Sequence, residues 1–231
     1  MSDCASPSRP DHLPEEAGRR PVLYSFRRCP YAMRARMALR YAGQNCVLRE
    51  VDLKHKPDEM LQASAKGTVP VLLVGAHVID ESLDVMRWAL AQSDPNGWLD
   101  HGALQPGVKK LLDRNDGPFK VHLDGYKYAG RDAQANALYH RQQAEAFLAE
   151  LEELLAQNGG VYLLGEQLTF VDVALMPFIR QFANVDIKWF EASHYIRLQN
   201  WLTEMVHSDL FFHVMAKHKP WQAGAPEVLL F

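Results

Sequence analysis

Cys29 is the residue in this sequence whose type and setting best suit covalent chemistry. It stands in RRCPYAMR, residues 27–34, between two arginines and a proline. The preceding PVLYSF has the β-branched and aromatic pattern of a strand, and Pro30 suits the first position of a helix. At a helix start, unpaired N–H groups and the positive end of the helix dipole favour a thiolate. We therefore expect Cys29 to be a nucleophile with a lowered pKa.

Ala32 stands where a dithiol oxidoreductase carries its second cysteine. Without that partner, Cys29 is expected to hold a mixed disulfide until an external thiol releases it. The alternative is that Cys29 only packs as a small apolar residue, as free cysteines often do. The order of strand, cysteine, proline and helix favours the reactive interpretation. We interpret Cys46, on a predicted strand, and Cys4, near the N-terminus, as structural or incidental.

Length and composition are those of an ordinary globular protein. The 231 residues are 48% hydrophobic and 23% charged, which suits one large domain or two modest ones. A net charge of −3 gives no general reason to expect a nucleic acid or a membrane as a partner. Three cysteines are too few for a disulfide framework and indicate a reducing, cytoplasmic setting. Residues 1–20 lack a signal-peptide core and predict a flexible tail.

Arginines are concentrated around Cys29. A solvated surface is the ordinary interpretation of such a charge run, and a site for a small anion beside Cys29 is the sharper one. Nucleic acid ranks third, because neither interleaved aromatic residues nor a recognised binding motif accompanies the arginines. The cluster consists of Arg19, Arg20, Arg27, Arg28, Arg34, Arg36 and Arg40.

Residues 21–93 predict a small α/β domain with a thioredoxin-like layout. A strand at PVLYSF, a helix from Pro30 and a strand at CVLREVDL form a βαβ unit with parallel strands. A short helix at KPDEMLQAS leads to VPVLLV and HVI, which Gly75-Ala76 joins as an antiparallel hairpin. SLDVMRWALAQ then predicts a helix with Ser82 as its N-cap.

Residues 94–106 are rich in turn formers and predict a linker, and residues 107–231 predict an all-helical domain. Apolar residues at helical spacing mark helices at 134–157 and 193–208. In LTFVDVALMPF, Thr169 and Asp172 form a capping-box pattern at a helix start.

Other candidate sites give weaker signals. His207, His213 and His218 lack the i, i+4 spacing of helical metal ligands, so we expect no metal site. The segment DGYKY, residues 124–128, and Trp189 are candidates for a second-substrate pocket, with ordinary aromatic packing as the alternative. The apolar end PWQAGAPEVLLF is expected to fold over the cleft or to join a subunit interface.

Taken together, these motifs resemble the cytosolic glutathione transferases over nearly all of residues 21–215. RRCPYAMRARMAL is most similar to the cysteine-type members, which are the omega class and the related two-domain glutaredoxins. The resemblance implies the glutathione transferase fold, with a thioredoxin-like α/β domain followed by an all-α domain. It also implies glutathione as a cosubstrate and a homodimer, while charge, composition and histidine spacing give the expectation of no metal, no nucleic acid and no membrane as partners.

The resemblance gives the Cys29 segment its roles. Cys29 matches the family's catalytic cysteine, and Pro30 and Tyr31 complete the Cys-Pro-aromatic signature. Lys56 matches a lysine that pairs with the glycine carboxylate of glutathione in omega-like proteins.

Two further motifs match the rest of the glutathione site. Val69-Pro70 matches the family's Val-Pro pair, whose proline is cis and whose valine backbone pairs with the cysteinyl part of glutathione like an added strand. Glu81-Ser82 matches the acidic-Ser pair that binds the γ-glutamyl end. Ser82 at a helix start suits a carboxylate, and Glu81 suits an ammonium.

Three functions remain open from the sequence. The first is thiol transfer through a mixed disulfide between Cys29 and glutathione. The second is conjugation of glutathione to electrophiles, for which Tyr24 or Ser25 would have to activate the glutathione thiol. The third is a non-catalytic protein that uses this fold for association. The combination of motifs favours the first.

Overall fold

The computed structural model describes residues 20–99, 106–129 and 134–231. Nearly all of the predicted flexible tail, including Cys4, lies outside the described residues. So do residues 100–105 of the predicted linker.

The first half of the chain is a four-stranded mixed sheet with three helices. Its elements are β1 (Val22–Ser25), α1 (Pro30–Tyr41), β2 (Val47–Glu50), α2 (Asp58–Ala63), β3 (Val71–Val74), β4 (His77–Ile79) and α3 (Ser82–Gln92). The strand order is β2-β1-β3-β4. β1 is parallel to β2 and antiparallel to β3, and β3 pairs with β4 as an antiparallel hairpin. The predicted βαβ unit and hairpin are thus confirmed.

The second half is helical. Its helices are α4 (Pro106–Arg114), α5 (Lys120–Tyr128), α6 (Gln134–Gln157), α7 (Phe170–Ala183), α8 (Ile187–Ala192), α9 (Ile196–His207) and α10 (Asp209–Val214). A π-helical turn at Asn115–Phe119 joins α4 to α5 and was not predicted. The predicted fold class, a thioredoxin-like sheet domain followed by helices, is confirmed. Within the described ranges, no helix has the length and apolar character needed to cross a bilayer.

Helix α1 contacts both halves of the chain. It packs against α3 of the sheet domain and against α7 and α10 of the helical half. Pro30 and all residues from Ala32 to Leu39 are buried. Because α1 has no polar face, its two internal arginines, Arg34 and Arg36, are inside the protein, where a charge must find hydrogen-bond partners.

The start of α7 is fixed by the buried carboxylate of Asp172. It accepts from the backbone N–H of Thr169 at 3.0 Å and completes the capping box that the sequence predicts. It also accepts from the Thr169 hydroxyl at 2.6 Å, the Leu163 N–H at 2.9 Å and the Trp201 indole N–H at 2.9 Å. One side chain therefore joins α7 to α9 and to the loop before α7.

The C-terminal tail returns to the sheet. Leu48 N–H donates to the Val228 carbonyl at 2.7 Å, and Leu230 N–H donates to the Cys46 carbonyl at 2.9 Å. The tail thereby makes an antiparallel bridge to β2, an edge strand whose backbone groups would otherwise be unpaired. The sequence led us to expect a cover for the cleft or a subunit interface. The tail instead finds its partner at the edge of its own sheet.

Replacing Asp172 by alanine is expected to lower the free energy of unfolding by about 3 kcal/mol or more. The variant leaves buried N–H donors without an acceptor, and each such donor costs about 1–3 kcal/mol. Asp186 provides a matched control, because its carboxylate accepts a single bond from the described residues, from Trp189 N–H at 3.1 Å, at the exposed start of α8. Its alanine variant should lose about 1 kcal/mol. Urea unfolding followed by circular dichroism measures both losses, and equal losses would contradict the role assigned to Asp172.

Candidate active site

Cys29 lies at the junction of β1 and α1, as the sequence predicts. Its backbone N–H donates to the Phe26 carbonyl at 3.0 Å, which turns the chain out of the strand. Cys29 is the N-cap residue of α1, with an extended backbone (φ −75°, ψ 124°), and Pro30 follows as the first helical residue. Its carbonyl accepts from Met33 N–H at 2.9 Å and begins the helical hydrogen bonding. This local sequence therefore places the sulfur at the open start of a helix.

The sulfur of Cys29 is half-buried, and its surroundings act on its charge in opposite directions. Burial is the largest influence and raises the pKa of the thiol. The backbone N–H groups of Ala32 and Tyr31, and then the positive charges of Arg36 and Lys120, lower the pKa. Burial prevails, so the prediction of a lowered pKa for the Cys29 thiol is wrong. In keeping with a neutral thiol, Cys29 Sγ lies 3.6 Å from the Val69 carbonyl, to which it donates.

The Val69–Pro70 peptide bond is cis, as the resemblance implies. Both residues are buried just before β3, and the Val69 carbonyl faces the sulfur of Cys29. Tyr31 is the second residue of α1, two residues after Cys29. Its ring meets Phe178 of α7 edge-on at 4.8 Å, and burial raises its pKa to about 12. Tyr31 is thus a neutral aromatic contact between the two halves of the chain.

Glu81 and Ser82 lie at the start of α3, with one difference from the sequence prediction. Glu81 is the N-cap residue, and Ser82 is the first residue of the helix. Ser82 is buried, and its Oγ accepts from Arg34 Nε at 3.0 Å. Glu81 is exposed and pairs with Lys66, whose Nζ lies 2.5 Å from its Oε1. Lys66 also reaches Asp80 at 3.0 Å.

Lys56 lies in the segment between β2 and α2 and is exposed. Its Nζ lies over the backbone of Gly67, 3.8 Å from where a Cβ on that glycine would be. Gly67 is two residues before Val69, so this cation stands close to the segment that carries the cis bond. Among the residues that the structure describes, no carboxylate forms an ion pair with Lys56.

Arg36 is a buried residue whose role the sequence did not reveal. Its exposed fraction is 2%. Its hydrogen-bond acceptors among the described residues are all neutral, and they lie at the end of β1, in the loop before Cys29 and at the end of α10. These acceptors are Ser25 Oγ at 2.5 Å, Phe26 O at 3.3 Å, Arg27 O at 2.8 Å, Val214 O at 2.9 Å and Met215 Sδ at 3.7 Å. Burial lowers its pKa to about 10, against the charges of Glu50 and Cys29.

Arg34 and Arg36 therefore change the interpretation of the arginine cluster. Neither belongs to an open site for a small anion, because both guanidinium groups are buried and bonded inside the protein. The signal available from the sequence was their position among the apolar residues of a predicted helix. The sequence left a solvated surface and a small-anion site as the two interpretations, and the burial of Arg34 and Arg36 fits neither.

The two hydroxyl groups that were candidates for activating glutathione are both buried and bonded. The Tyr24 hydroxyl accepts from Arg49 Nη1, and burial raises its pKa. Ser25 Oγ accepts from Arg36. Both residues have no exposed surface. Of the candidate nucleophile Cys29 and the two candidate activating hydroxyls, only Cys29 retains exposed surface.

The second-substrate candidates separate into two groups. Tyr126 and Trp189 pack on Phe182, at ring distances of 5.3 Å and 6.0 Å, as the aromatic-packing alternative expects. Asp124 instead pairs with Lys120, whose Nζ lies 6.0 Å from the centre of the Tyr31 ring. Lys120 is thus a residue of the site region that the sequence did not identify.

Among the described residues, the histidines near the C-terminus form no cluster with other possible metal ligands. Within residues 20–99, 106–129 and 134–231, no three or more histidine, cysteine, aspartate or glutamate side chains are grouped to hold a metal ion. His207 and His213 bond to carbonyls of their own helices, at 2.8 Å from Thr203 O and 2.7 Å from Asp209 O.

Comparisons with known proteins agree with the observed order of a sheet domain followed by a helical domain. The family models for the glutathione S-transferase N-terminal and C-terminal domains match residues 23–97 and 96–204. A probable maleylacetoacetate isomerase of Caenorhabditis elegans is 27% identical over 180 residues, which is 71% of this chain and 79% of the relative. Glutathione S-transferase omega-1 of Sus scrofa is 22% identical over 185 residues, which is 80% of this chain and 76% of the relative.

The solved structures show the same fold. A glutathione transferase family member from Pseudomonas fluorescens, solved with two glutathione bound, superposes with a TM-score of 0.72 at 15% identity. The match covers 86% of this chain and 93% of that one. At this identity the likeness concerns the fold.

The pH dependence of Cys29 alkylation by iodoacetamide tests the electrostatics of the site. Because burial raises the pKa of the thiol, we expect the rate to rise through an inflection above the ordinary value of about 8.5. Lys120→Met should move the inflection further upward, since it removes a positive charge near the sulfur. Lys127→Met is the control, because Lys127 is exposed and lies against Tyr128.

The alkylated residue is assigned by peptide mass spectrometry, so that Cys46 and Cys4 do not contribute. An inflection below about 8.5 would contradict the dominance of burial. Equal shifts in the two lysine variants would contradict the assignment of Lys120 to the surroundings of the sulfur.

Proposed function

We propose that this protein, which belongs to the cytosolic glutathione transferase superfamily and has omega-class relatives, is a glutathione-dependent thiol transferase. In this proposal the reaction passes through a mixed disulfide between Cys29 and glutathione. The observation that carries the proposal is the position of Cys29 Sγ, 3.6 Å from the Val69 carbonyl at the open start of α1. The internal bonding of Tyr24 and Ser25 supports it further.

The proposed reaction consists of two thiol–disulfide exchanges. In the first, the Cys29 thiolate attacks the glutathione sulfur of a glutathionylated acceptor. A new S–S bond joins Cys29 to glutathione while the old one breaks, and the acceptor leaves as a thiolate that takes up a proton. In the second, the thiolate of another glutathione attacks this mixed disulfide, forms oxidised glutathione and restores the Cys29 thiolate. In sum, one glutathionylated acceptor and one reduced glutathione give one acceptor thiol and one oxidised glutathione, and the proton of the reduced glutathione ends on the acceptor thiol.

Glutathione is proposed to lie across the residues that the resemblance identifies. The cysteinyl main chain would pair with the backbone of Val69, held by Pro70, and the aromatic ring of Tyr31 would close the site beside the sulfur. Lys56, with its ammonium over Gly67, would balance the glycine carboxylate.

The γ-glutamyl end is assigned to the start of α3. Ser82 would donate to the γ-glutamyl carboxylate from its hydroxyl and its backbone N–H, and Glu81 would accept from the ammonium. Because Glu81 already pairs with Lys66, the ligand's ammonium would have to share or displace that exposed ion pair. Exposed pairs contribute about 0–1 kcal/mol, so the displacement is inexpensive.

A raised thiol pKa is compatible with this chemistry. Each unit above the ordinary value lowers the thiolate fraction near neutral pH about tenfold. A more basic thiolate is also more nucleophilic, and with a Brønsted coefficient of about 0.5 it regains about threefold of the rate. The net loss is then about threefold per unit. We therefore expect thiol transfer to become faster as the pH rises toward the Cys29 pKa.

The same raised pKa favours a second candidate, which is conjugation of glutathione to electrophiles. A neutral Cys29 would then donate its S–H to the thiolate of bound glutathione and would form no covalent bond. The probable isomerase relative agrees with a non-disulfide use of this fold. Homodimer formation remains a prediction for either candidate.

Incubation of the protein with oxidised glutathione separates the candidates. We expect a single glutathione adduct on Cys29, identified by peptide mass spectrometry and reversed by excess reduced glutathione. Cys29→Ser should form no adduct and should lose disulfide reduction, whereas Cys46→Ser should retain both because Cys46 is fully buried.

Two results would reject thiol transfer. One is the absence of an adduct on Cys29 in the wild-type protein. The other is full disulfide reduction by Cys29→Ser. Conjugating activity that survives in Cys29→Ser would support the second candidate, and binding of glutathione without either activity would indicate a binding protein.

A further inference from the structure

Arg34 links the proposed glutathione site to the helical half of the protein. Its exposed fraction is 1%, and it lies on α1 five residues after Cys29. On one side its Nε donates to Ser82 Oγ at 3.0 Å. On the other side its Nη1 and Nη2 donate to the two carboxylate oxygens of Asp116, at 3.0 Å and 2.7 Å. Asp116 belongs to the π-helical turn between α4 and α5.

We propose that Arg34 is a positioning residue for γ-glutamyl recognition, which holds the hydroxyl of Ser82 as a hydrogen-bond donor toward the ligand's carboxylate. Asp116 holds Arg34 in turn, so that the helical half takes part in glutathione binding without touching the ligand. This inference rests on the proposed function, since it deepens the role given there to Ser82.

The donor role of Ser82 follows from hydrogen-bond chemistry. A serine hydroxyl has one proton to donate and two lone pairs, and a guanidinium has donors only. Ser82 Oγ must therefore accept from Arg34, and its own proton remains available for another acceptor. A positive donor also polarises the hydroxyl and makes it a stronger donor to an anion. A ligand carboxylate provides the acceptor that this arrangement suits.

The geometry requires arginine rather than another cation. One rigid plane donates two bonds to Asp116 and one to Ser82, and Nη1 also donates to the Ala174 carbonyl at 3.5 Å. The rings of Tyr31 and Phe178 each lie 5.1 Å from the guanidinium carbon and fix that plane. A lysine has a single point of charge on a flexible stem, so it could keep the ion pair with Asp116 but not the oriented bond to Ser82.

The test is a calorimetric binding experiment with S-methylglutathione, which cannot form a disulfide with Cys29. The second ligand is the same compound with 4-aminobutyryl in place of γ-glutamyl, so that it lacks only the α-carboxylate. We expect Arg34→Lys to lower the affinity for S-methylglutathione about tenfold, and to change the affinity for the second ligand by less than about twofold. Ser82→Ala should act in the same way, and the double variant should be no weaker than Ser82→Ala alone.

Arg87→Lys is the matched control. Arg87 lies on α3 five residues after Ser82, but its side chain is exposed and pairs with Asp84 at 2.8 Å. The Arg87→Lys variant should bind both ligands with the affinities of the wild-type protein. Asp116→Asn is the second variant, should Arg34→Lys fail to fold, and it should give a smaller loss that is again confined to the ligand with the α-carboxylate.

The inference is overturned if Arg34→Lys, or Asp116→Asn in its place, lowers the affinity for both ligands equally. It is also overturned if the double variant loses as much binding free energy as Arg34→Lys and Ser82→Ala lose together. Either result with normal wild-type binding leaves thiol transfer intact, because S-methylglutathione binding does not involve the disulfide chemistry. A wild-type protein that binds neither ligand would overturn this inference and the proposed glutathione site together.

Discussion

Burial of the Cys29 sulfur opposes its ionisation, and this opposition shapes the candidate site. The sulfur is placed where the sheet, the cis-proline segment and the first turn of α1 meet, so water is partly excluded from it. Burial disfavours the thiolate, and the helix N–H groups with Arg36 and Lys120 favour it. A bound ligand that brings polar groups to the sulfur would change this balance. The reactivity of Cys29 therefore depends on the burial of the sulfur and on the charged and polar groups around it, in addition to its position at the start of a helix.

Two buried arginines join the halves of the chain, and they do so differently. Arg34 has a carboxylate partner in Asp116, so its charge is balanced within the helical half. In the part of the chain that the structure describes, the acceptors of Arg36 are neutral oxygen and sulfur atoms, and these bonds hold the loop before Cys29 against the end of α10. A buried cation without a carboxylate in contact is costly unless it is well hydrogen-bonded. A negative charge on Cys29 would offset part of that cost, so Arg36 ties the cysteine's charge to the packing of the C-terminal helices.

The sequence predicted the features that depend on residues close together in the chain. The strand and helix order around Cys29, the hairpin from β3 to β4 and the capping box at Asp172 all depend on neighbouring residues. The cis Val69–Pro70 bond came from the family resemblance, since X-Pro bonds in general are seldom cis. The start of α3 was misplaced by one residue, because Glu81 and Ser82 are both polar and either could stand at the cap.

Features that depend on distant partners were missed. Arg34 meets Asp116, which lies 82 positions away, and Arg36 meets Val214, which lies 178 positions away. The tail's pairing with β2 joins the end of the chain to its first half. The direction of the Cys29 pKa was wrong for the same reason, since the helix start is visible in the sequence and the degree of burial is not. The spacing of residues within a short stretch of sequence indicates neither long-range contacts nor the degree of burial.

A crystal structure of the protein treated with oxidised glutathione tests the central claim most directly. We predict a disulfide between Cys29 Sγ and the glutathione sulfur, with the cysteinyl main chain against Val69 and the γ-glutamyl carboxylate at Ser82. Glutathione bound without a covalent bond, with its sulfur turned away from Cys29, would contradict a mixed-disulfide mechanism.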